Sequence, residues 1–234
     1  MKNTKIEWCD STCNPVVGCT KGCEYCYARK INDRFRFVDD FSKPQFLPHR
    51  LKQLESKKPQ IIFMNSMSDI ADWELDWWVS VWNKMAENQQ HYYLFLTKRF
   101  EQFADMAMKV DLEVVKNANI GCTVTKQSDF DLYNIESSFL SIEPMLEPIT
   151  LYLNDFEFMP NWRIGTRWII LGAETGNRKD KVIPKKEWID SLVNECKDFG
   201  IPVFMKDSLI HIVGEENMLR QFPPFIMEFE NEEK

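Results

Sequence analysis

The sequence lacks several features that would place a protein in a membrane or outside the cell. No stretch approaches the roughly 20 consecutive apolar residues of a membrane span. Residues 1–8 contain no apolar segment of the kind found in secretory signals. Long linkers, low-complexity segments and internal repeats are also missing, and the three histidines show no metal-ligand spacing. We therefore expect a cytoplasmic protein that does not associate with membranes.

A positive charge balance is another feature that the chain lacks. Its 29 basic and 36 acidic residues give a net charge of −7. This balance argues against a protein that binds nucleic acid mainly by neutralising phosphates. It leaves room for a local basic surface, or simply a solvated helix face, formed by five residues close together in the chain: Lys21, Arg29, Lys30, Arg34 and Arg36.

The cysteines do not have the pattern of a disulfide framework. There are seven, an odd number, and five of them lie between Cys9 and Cys26. In a reducing compartment such clustering favours metal binding or catalysis. The chain of 234 residues, with 44% apolar residues, is long enough for a substantial core. We expect one domain over residues 1–225, followed by an acidic tail over 226–234.

The most informative segment is residues 19–26, Cys-Thr-Lys-Gly-Cys-Glu-Tyr-Cys, which we call the thiol loop. It supplies three soft ligands, Cys19, Cys23 and Cys26, and no fourth. Soft thiolates select iron–sulfur clusters, zinc or Cu(I), and a cluster held by three of them keeps one iron open to another ligand. A zinc site completed by Cys9 or Cys13 is the alternative.

Short β-branched or aromatic runs alternate with helical patterns along the rest of the chain. The strands are predicted over 60–67, 91–97, 119–124, 138–142, 167–173 and 201–205, and helices over 73–87, 101–109 and 185–199. Asn14–Gly18 could supply the end of an opening strand, and 151–167 is predicted to be a long excursion. This alternation favours βαβ units with a parallel sheet. The predicted fold is α/β, a partial or complete (β/α) barrel.

Almost every predicted strand ends in polar or charged residues. They are Ser68-Asp69, Lys98-Arg99, Thr125-Lys126, Glu143, Glu174 and Lys206. Active sites of barrels are assembled at the carboxyl ends of the strands. The sequence therefore predicts a polar pocket at this edge, with the thiol loop at the first position.

Four tryptophans at mostly helical spacing have a simpler interpretation. Trp73, Trp77, Trp78 and Trp82 are expected to lie on the inner side of an outer helix. A platform for base stacking would need exposed aromatic side chains instead.

Several motifs together resemble the phage protein Gp37/Gp68 family, a group of radical S-adenosylmethionine-like proteins. The motifs are Ile6-Glu7-Trp8, Asn14-Pro15, Gly18-Cys19, Cys23, Cys26-Tyr27-Ala28, Asn65–Asp69, Leu96–Arg99, Glu143-Pro144, Gly172–Gly176 and Phe204–Lys206. The spacing within the thiol loop is itself similar to the signature of radical S-adenosylmethionine enzymes. Members of the Gp37/Gp68 family often have a longer gap between the first two cysteines, and usually carry Thr and Trp in place of Cys9 and Cys13.

The resemblance implies a barrel of the radical S-adenosylmethionine type and two cofactors. A 4Fe–4S cluster would be held by Cys19, Cys23 and Cys26, and its open iron would bind S-adenosylmethionine. Tyr25 matches an aromatic position near the adenine. Reductive cleavage would yield methionine and a 5′-deoxyadenosyl radical. Cys9 and Cys13 would be local substitutions rather than cluster ligands.

The methionine half of that cofactor carries an ammonium and a carboxylate group. Ser66, Ser68 and Asp69 are the candidates for the ammonium, although Ser68 or Asp69 could instead cap a helix. Lys98 or Arg99 is the candidate for the carboxylate, with Arg99 favoured if the contact is bidentate.

Later strand ends supply further candidates. Glu143 and Glu174 could hold the ribose hydroxyls or the substrate, or form buried ion pairs with Lys206. Cys122 is a candidate catalytic hydrogen-atom donor, although a buried cysteine is commonly an inert small hydrophobe. Cys196 is expected to pack in a helix.

The leading hypothesis is thus a radical enzyme that acts on an unidentified substrate, with a nucleic acid or nucleotide as the closest analogy. Electrons would come from a separate flavodoxin or ferredoxin, because the chain has no second cluster motif and no flavin signature. Two alternatives stay open: a zinc-bearing nucleic-acid-binding module without catalysis, and a degenerate barrel that binds the cofactor without turnover.

Overall fold

The computed structural model describes residues 4–107, 115–131, 138–153 and 167–232. It divides into two compact units, Met1–Asn119 and Ile120–Glu232. Most of the predicted excursion, 154–166, and the last two residues of the predicted tail lie outside the described residues. The two-unit division does not test the expectation of a single domain, which stays a prediction.

In its described residues, the first unit contains short parallel strands, three helices and a small antiparallel ribbon. The strands are β1 (Ser11–Thr12), β2 (Val16–Val17), β3 (Gln45–Phe46), β4 (Ile61–Phe63) and β5 (Tyr92–Thr97). The helices are α1 (Tyr27–Phe35), α2 (Leu75–Ala86) and α3 (Phe100–Ala107), with 3₁₀ turns at Pro48–Glu55 and Ile70–Asp72. Ser11 is in register with Ile62, which is in register with Tyr93.

The second unit repeats the alternation of strands and helices. Its strands are β6 (Ala118–Val124, which begins in the first unit), β7 (Leu140–Ile142), β8 (Ile169–Leu171) and β9 (Val203–Met205). Its helices are α4 (Gln127–Asp131), α5 (Lys186–Asp198), α6 (Ile210–Val213) and α7 (Pro224–Glu232), with 3₁₀ turns at Asp207–Leu209 and Glu215–Asn217. Helix α7 covers most of the stretch expected to be an acidic tail.

The predicted α/β class is confirmed. In the first unit β1, β4 and β5 pair in parallel in that order, and β6, β7, β8 and β9 do the same toward the second unit. The three-residue strands β4, β7, β8 and β9 are buried throughout. Buried runs of this kind, apolar except for Ser141 in β7, are typical of strands covered on both faces.

The prediction for the opening strand was wrong. The first strand of the sheet is Ser11–Thr12 rather than a segment ending at Gly18. Val16–Val17 instead pairs antiparallel with Gln45–Phe46 in a separate ribbon. Pro15 separates the two segments, and a proline has no N–H to donate to a strand ladder.

Two of the four tryptophans expected on the inner side of an outer helix pack as expected, whereas Trp77 and Trp82 are partly exposed. Trp73 and Trp78 are buried, and the Trp78 ring lies 5.4 Å from the ring of Phe95 on β5. Trp73 meets Trp78 edge to face at 5.5 Å. These rings are part of the core of the first unit. Among the described residues, no helix is both long and apolar enough to cross a membrane.

Candidate functional site

The thiol loop begins at a point of very close backbone packing. Gly18 donates its N–H to the Met67 carbonyl at 3.0 Å, and Cys19 donates to the Phe41 carbonyl at 2.8 Å. Gly18 has a φ of 115°, and a Cβ atom there would lie 2.8 Å from Pro44 Cα. Only glycine combines this backbone conformation with this approach, so Gly18 fixes where the loop leaves the strand region.

Asp72 ties the thiol loop to the turn that follows β4. Its carboxylate accepts hydrogen bonds from Thr20 N at 2.9 Å and from Thr20 Oγ1 at 2.7 Å. Arg99 Nη2 lies 2.6 Å from Asp72 Oδ2, and Arg99 Nη1 donates to Thr20 Oγ1 at 3.1 Å. Burial favours the neutral acid, but the hydrogen bonds from Arg99 and Thr20 outweigh it and lower the pKa of Asp72. The sequence analysis did not single out Asp72.

Two of the loop thiols rest on a buried apolar cluster and accept backbone hydrogen bonds. Cys19 Sγ accepts from Lys21 N, and Cys26 Sγ accepts from Arg29 N, each at 3.4 Å. Cys26 is the N-cap of α1, where a negatively charged group is favoured. The cluster beneath Cys19 and Cys26 comprises Val17, Ala28, Val38, Phe41 and Met67.

Burial raises the pKa of Cys19 to about 12, and the nearby carboxylates of Asp69 and Asp72 also raise it. The Lys21 N–H and Arg99 act in the opposite direction without cancelling the shift. Cys19 is therefore a neutral thiol at physiological pH until a ligand replaces its proton.

Cys19, Cys23 and Cys26 are free and partly exposed. Their thiolates are ligands of the type that soft metals and iron–sulfur clusters select. Over the ranges that the structure describes, no three His, Cys, Asp or Glu side chains form a group that could hold a metal ion. Binding would therefore have to bring the three sulfurs together. Gly22, with a φ of 74° and ample space around it, lies at the middle of the loop.

The two other cysteines of this region are in the core. Cys9 Sγ lies 3.9 Å from the Ile6 carbonyl, and Cys13 Sγ lies 3.7 Å from the Arg50 carbonyl. Both side chains are buried, and burial raises the pKa of Cys13 to about 12. Neither thiol is therefore placed to act as the fourth ligand of a zinc ion.

Asp69 joins the ends of two neighbouring strands. Its Oδ1 accepts hydrogen bonds from Ala71 N at 3.0 Å and from Thr97 Oγ1 at 2.6 Å. Its Oδ2 accepts from Lys98 N at 3.0 Å. The side chain thus caps the 3₁₀ turn and holds the end of β5, which corresponds to the capping alternative stated for this residue.

The serines before Asp69 are also engaged. Ser66 Oγ donates to Asn14 Oδ1 at 3.1 Å, and the Ser66 carbonyl accepts from Tyr27 Oη at 2.8 Å. Ser68 Oγ accepts from Trp73 Nε1 at 3.0 Å. Each hydroxyl retains further hydrogen-bonding capacity because it is both a donor and an acceptor.

Lys98 and Arg99 both reach the thiol loop, but they meet different partners. Lys98 Nζ lies 3.3 Å from Tyr25 Oη and 5.2 Å from the centroid of the same ring. Arg99 lies between the carboxylates of Asp72 and Asp69, at 2.6 Å and 3.9 Å. The structure therefore brings Tyr25, Lys98 and Arg99 of the predicted site together with the thiol loop.

The two candidate glutamates, Glu143 and Glu174, lie in the second unit and form ion pairs. Glu143 Oε1 pairs with Lys206 Nζ, as one of the two alternatives expected. A Cβ atom at Gly172 would lie 3.0 Å from Glu143 Cδ, so the glycine makes room for this carboxylate. Glu174 instead accepts two hydrogen bonds of 2.8 Å from Arg178, a partner that the sequence analysis did not identify.

Cys122 and Cys196 are buried in β6 and α5. Burial raises the pKa of Cys196 to about 12. The packing expected for Cys196 is therefore confirmed, whereas the catalytic role of Cys122 stays a prediction.

Comparison with known proteins assigns the chain to a family. The model of DUF5131, described as a family of proteins of unknown function, matches residues 3–216. The chain belongs to the DUF5131 family. The DUF5131 match includes the thiol loop, Asp72, Arg99 and both ion pairs of the second unit. No curated protein and no solved structure matches the chain. The description of DUF5131 names no reaction, so function has to be inferred from the site.

Proposed function

We propose that this protein is a radical S-adenosylmethionine enzyme whose 4Fe–4S cluster is held by Cys19, Cys23 and Cys26. The observation that carries the proposal is the contrast within one chain: these three thiols are partly exposed on an anchored loop, and the other four are buried. The cluster type and the barrel type rest on the resemblance of the sequence motifs. The parallel strands of the α/β fold are compatible with a partial barrel.

When bound, the cluster would supply the electron that cleaves S-adenosylmethionine and generates a radical for hydrogen abstraction. The residues of the protein would position the ligating thiolates and stabilise their negative charge. Cys19 and Cys26 would each lose a proton on ligation, and the Lys21 and Arg29 N–H groups would stabilise their sulfurs. The Asp72–Arg99 pair would keep the start of the loop in place.

Among the two basic candidates, Lys98 is the better partner for the carboxylate of S-adenosylmethionine. Arg99 is committed to Asp72 and Thr20, whereas Lys98 Nζ contacts the ring and hydroxyl of Tyr25. This contact puts the ammonium beside the residue proposed to lie near the adenine. A carboxylate could form a charge-assisted hydrogen bond with it.

For the ammonium, Ser66 and Ser68 are better candidates than Asp69. Both oxygens of Asp69 already accept hydrogen bonds that hold the strand ends. The serine hydroxyls retain acceptor capacity. The roles of Glu143 and Glu174 toward ribose or substrate stay predictions, as does a separate flavodoxin or ferredoxin as electron donor.

A zinc-bearing module is a weaker candidate because it needs a fourth ligand. Cys9 and Cys13, the nearest cysteines in the chain, are buried and contact backbone carbonyls. Such a module would be colourless and would contain one zinc per chain.

The experiment is anaerobic reconstitution with iron and sulfide, reduction with dithionite and addition of S-adenosylmethionine. We expect 5′-deoxyadenosine by chromatography. Lys98→Met should weaken S-adenosylmethionine binding about 10-fold, the loss of one charge-assisted contact, without loss of iron. Lys58→Met, at an exposed position, is the matched control. Cluster-loaded protein that binds S-adenosylmethionine yet yields no 5′-deoxyadenosine would contradict the enzyme proposal in favour of a degenerate barrel.

A further inference from the structure

The C-terminal end of α1 carries an exposed group of aromatic and basic side chains. We call Arg34, Phe35, Arg36, Phe37 and Arg50 the arginine–aromatic patch. Phe35 is 57% exposed and Phe37 is 42% exposed. Their rings are nearly parallel, with an interplanar angle of 21° and centroids 5.9 Å apart. Exposed apolar side chains that lie side by side, unlike single scattered ones, are typical of interaction sites.

Hydrogen bonds of a buried asparagine hold the arginine–aromatic patch in a defined conformation. Asn32 is buried, donates from Nδ2 to the Val38 carbonyl at 2.9 Å and accepts from Val38 N at 3.0 Å. Arg36 ends the helix with a φ of 54° and donates its N–H to the Asn32 carbonyl. A non-glycine residue at this φ is uncommon and costs free energy. The turn that displays the two rings is therefore fixed by the surrounding structure.

The guanidinium groups lie over the rings. Arg34 Cζ is 5.1 Å from the centroid of Phe35, and Arg50 Cζ is 4.9 Å from that of Phe37. Residues 27–38 contain four basic residues and one acidic residue, although the whole chain has a net charge of −7. Positive charge is thus concentrated where the aromatic rings are exposed.

We propose that the arginine–aromatic patch binds single-stranded nucleic acid. Bases would replace the guanidinium groups of Arg34 and Arg50 over Phe35 and Phe37, and the displaced arginines would pair with phosphates. Stacking on aromatic side chains together with basic groups along the backbone is how proteins hold single strands. A duplex would offer the charge but keep its base faces covered. An acidic protein partner would use the charge but would have no need of parallel, exposed rings.

The patch shares a helix with the thiol loop. Cys26 caps the start of α1 and the patch lies at its end, a separation of about 14 Å for nine residues. Binding to the patch does not require a cluster. The further inference that the bound strand is the substrate of the enzyme rests on the function proposed above.

Fluorescence anisotropy with labelled dT15 and U15 tests the stacking. Phe35→Ala and Phe37→Ala should each weaken binding at least about 5-fold, the lower end of the effect of losing one stacked base. Phe199→Ala is the matched control, because Phe199 is also 42% exposed. An equal loss in the control, or no binding of either strand by the wild-type protein, would overturn the proposal.

Salt dependence tests the phosphate contacts. Arg34→Gln and Arg36→Gln should each reduce the slope of log affinity against log salt concentration by about 0.7, and Lys58→Gln should not. A dT15·dA15 duplex or poly-glutamate that binds as tightly as dT15, with no effect of the Phe variants, would show attraction by charge alone and contradict the proposal.

The assay uses protein without reconstituted iron, so its outcome is separate from that of the radical chemistry. Melting temperatures of all variants report on folding. If Arg34→Gln lowers the melting temperature yet binds dT15 like the wild type, Arg34 only stabilises the end of its helix, and its assignment to the patch is wrong.

Discussion

The thiol loop and the buried cysteines show how the same residue type acquires different chemistry from its surroundings. Cys23 and Cys26 are partly exposed in a loop that Asp72 anchors through Thr20, whereas Cys13 and Cys196 are buried. Burial raises the pKa of Cys13 and Cys196 to about 12, which keeps them as neutral thiols. Accessibility, more than the number of cysteines, separates candidate ligands from packing residues.

Alkylation of the native protein should produce the largest difference between the two sets. With iodoacetamide at pH 8, Cys23 and Cys26 should react on the order of 100-fold faster than Cys13 and Cys196, because buried thiols wait for local opening. Cys19 should react at an intermediate rate, since it is partly exposed but its pKa is raised to about 12. Peptide mass spectrometry over time measures this order, and rapid labelling of Cys13 would contradict it.

Removing the close packing at the start of the thiol loop should destabilise the fold that holds the loop. Gly18→Ala should lower the free energy of unfolding by about 3 kcal/mol, through strain at positive φ and a collision of the new Cβ with Pro44. Gly22→Ala is the matched control. Its φ is also positive at 74°, but the nearest atom would be 3.9 Å from the new Cβ, so we expect about 1 kcal/mol.

Urea unfolding measures both glycine variants. Equal losses in the two would show that backbone conformation, rather than the contact with Pro44, explains why position 18 is glycine.

Breaking the anchor at Asp72 should have a somewhat smaller effect. Asp72→Asn should lower the free energy of unfolding by about 2 kcal/mol at pH 7, because Arg99 loses the nearer of its two carboxylate partners and keeps only Asp69, at 3.9 Å. The folded-state pKa of Asp72 is lowered, so its contribution is present above the unfolded value of 3.8 and is lost as the pH falls through the folded value.

The pH dependence identifies the charge as the cause. Wild type and Asp72→Asn should differ in stability at pH 7 and converge in acid, as followed by urea unfolding at several pH values. A constant difference down to the pH where Asp72 is protonated would assign the loss to geometry instead. Lys186, paired with Asp190 at the surface, offers a control: Asp190→Asn should change stability by less than about 0.5 kcal/mol.

Most of the sheet could be predicted from the sequence, since its strands are short buried runs followed by polar residues. The strand predicted over 91–97 is observed as Tyr92–Thr97, and that over 119–124 as Ala118–Val124. Helices α2 and α5 lie within their predicted ranges because their apolar residues recur with helical spacing. The opening strand was mispredicted because two residues give no periodicity to detect.

The partners within the site were harder to predict. Asp72 is an ordinary charged residue in the sequence, and only the folded backbone brings it to Thr20, 52 positions away. Arg178 lies four residues after Glu174, but this segment is not helical, so the rule for helical i,i+4 pairs does not predict the contact. Asn65 pairs with both the N–H and the carbonyl of Leu96, at 3.0 and 2.6 Å, and no spacing rule reveals this. Long-range contacts of single side chains leave no local pattern.

The most direct test of the central claim is the iron and sulfide content of anaerobically reconstituted protein. We predict about four irons per chain in the wild type, with most of the iron lost in Cys19→Ala, Cys23→Ala and Cys26→Ala. Alanine variants at Cys9, Cys13, Cys122 and Cys196 should retain it, after correction for any unfolded fraction. A folded Cys13→Ala protein without iron, or a colourless wild type with one zinc per chain, would contradict the assignment of the cluster to the thiol loop.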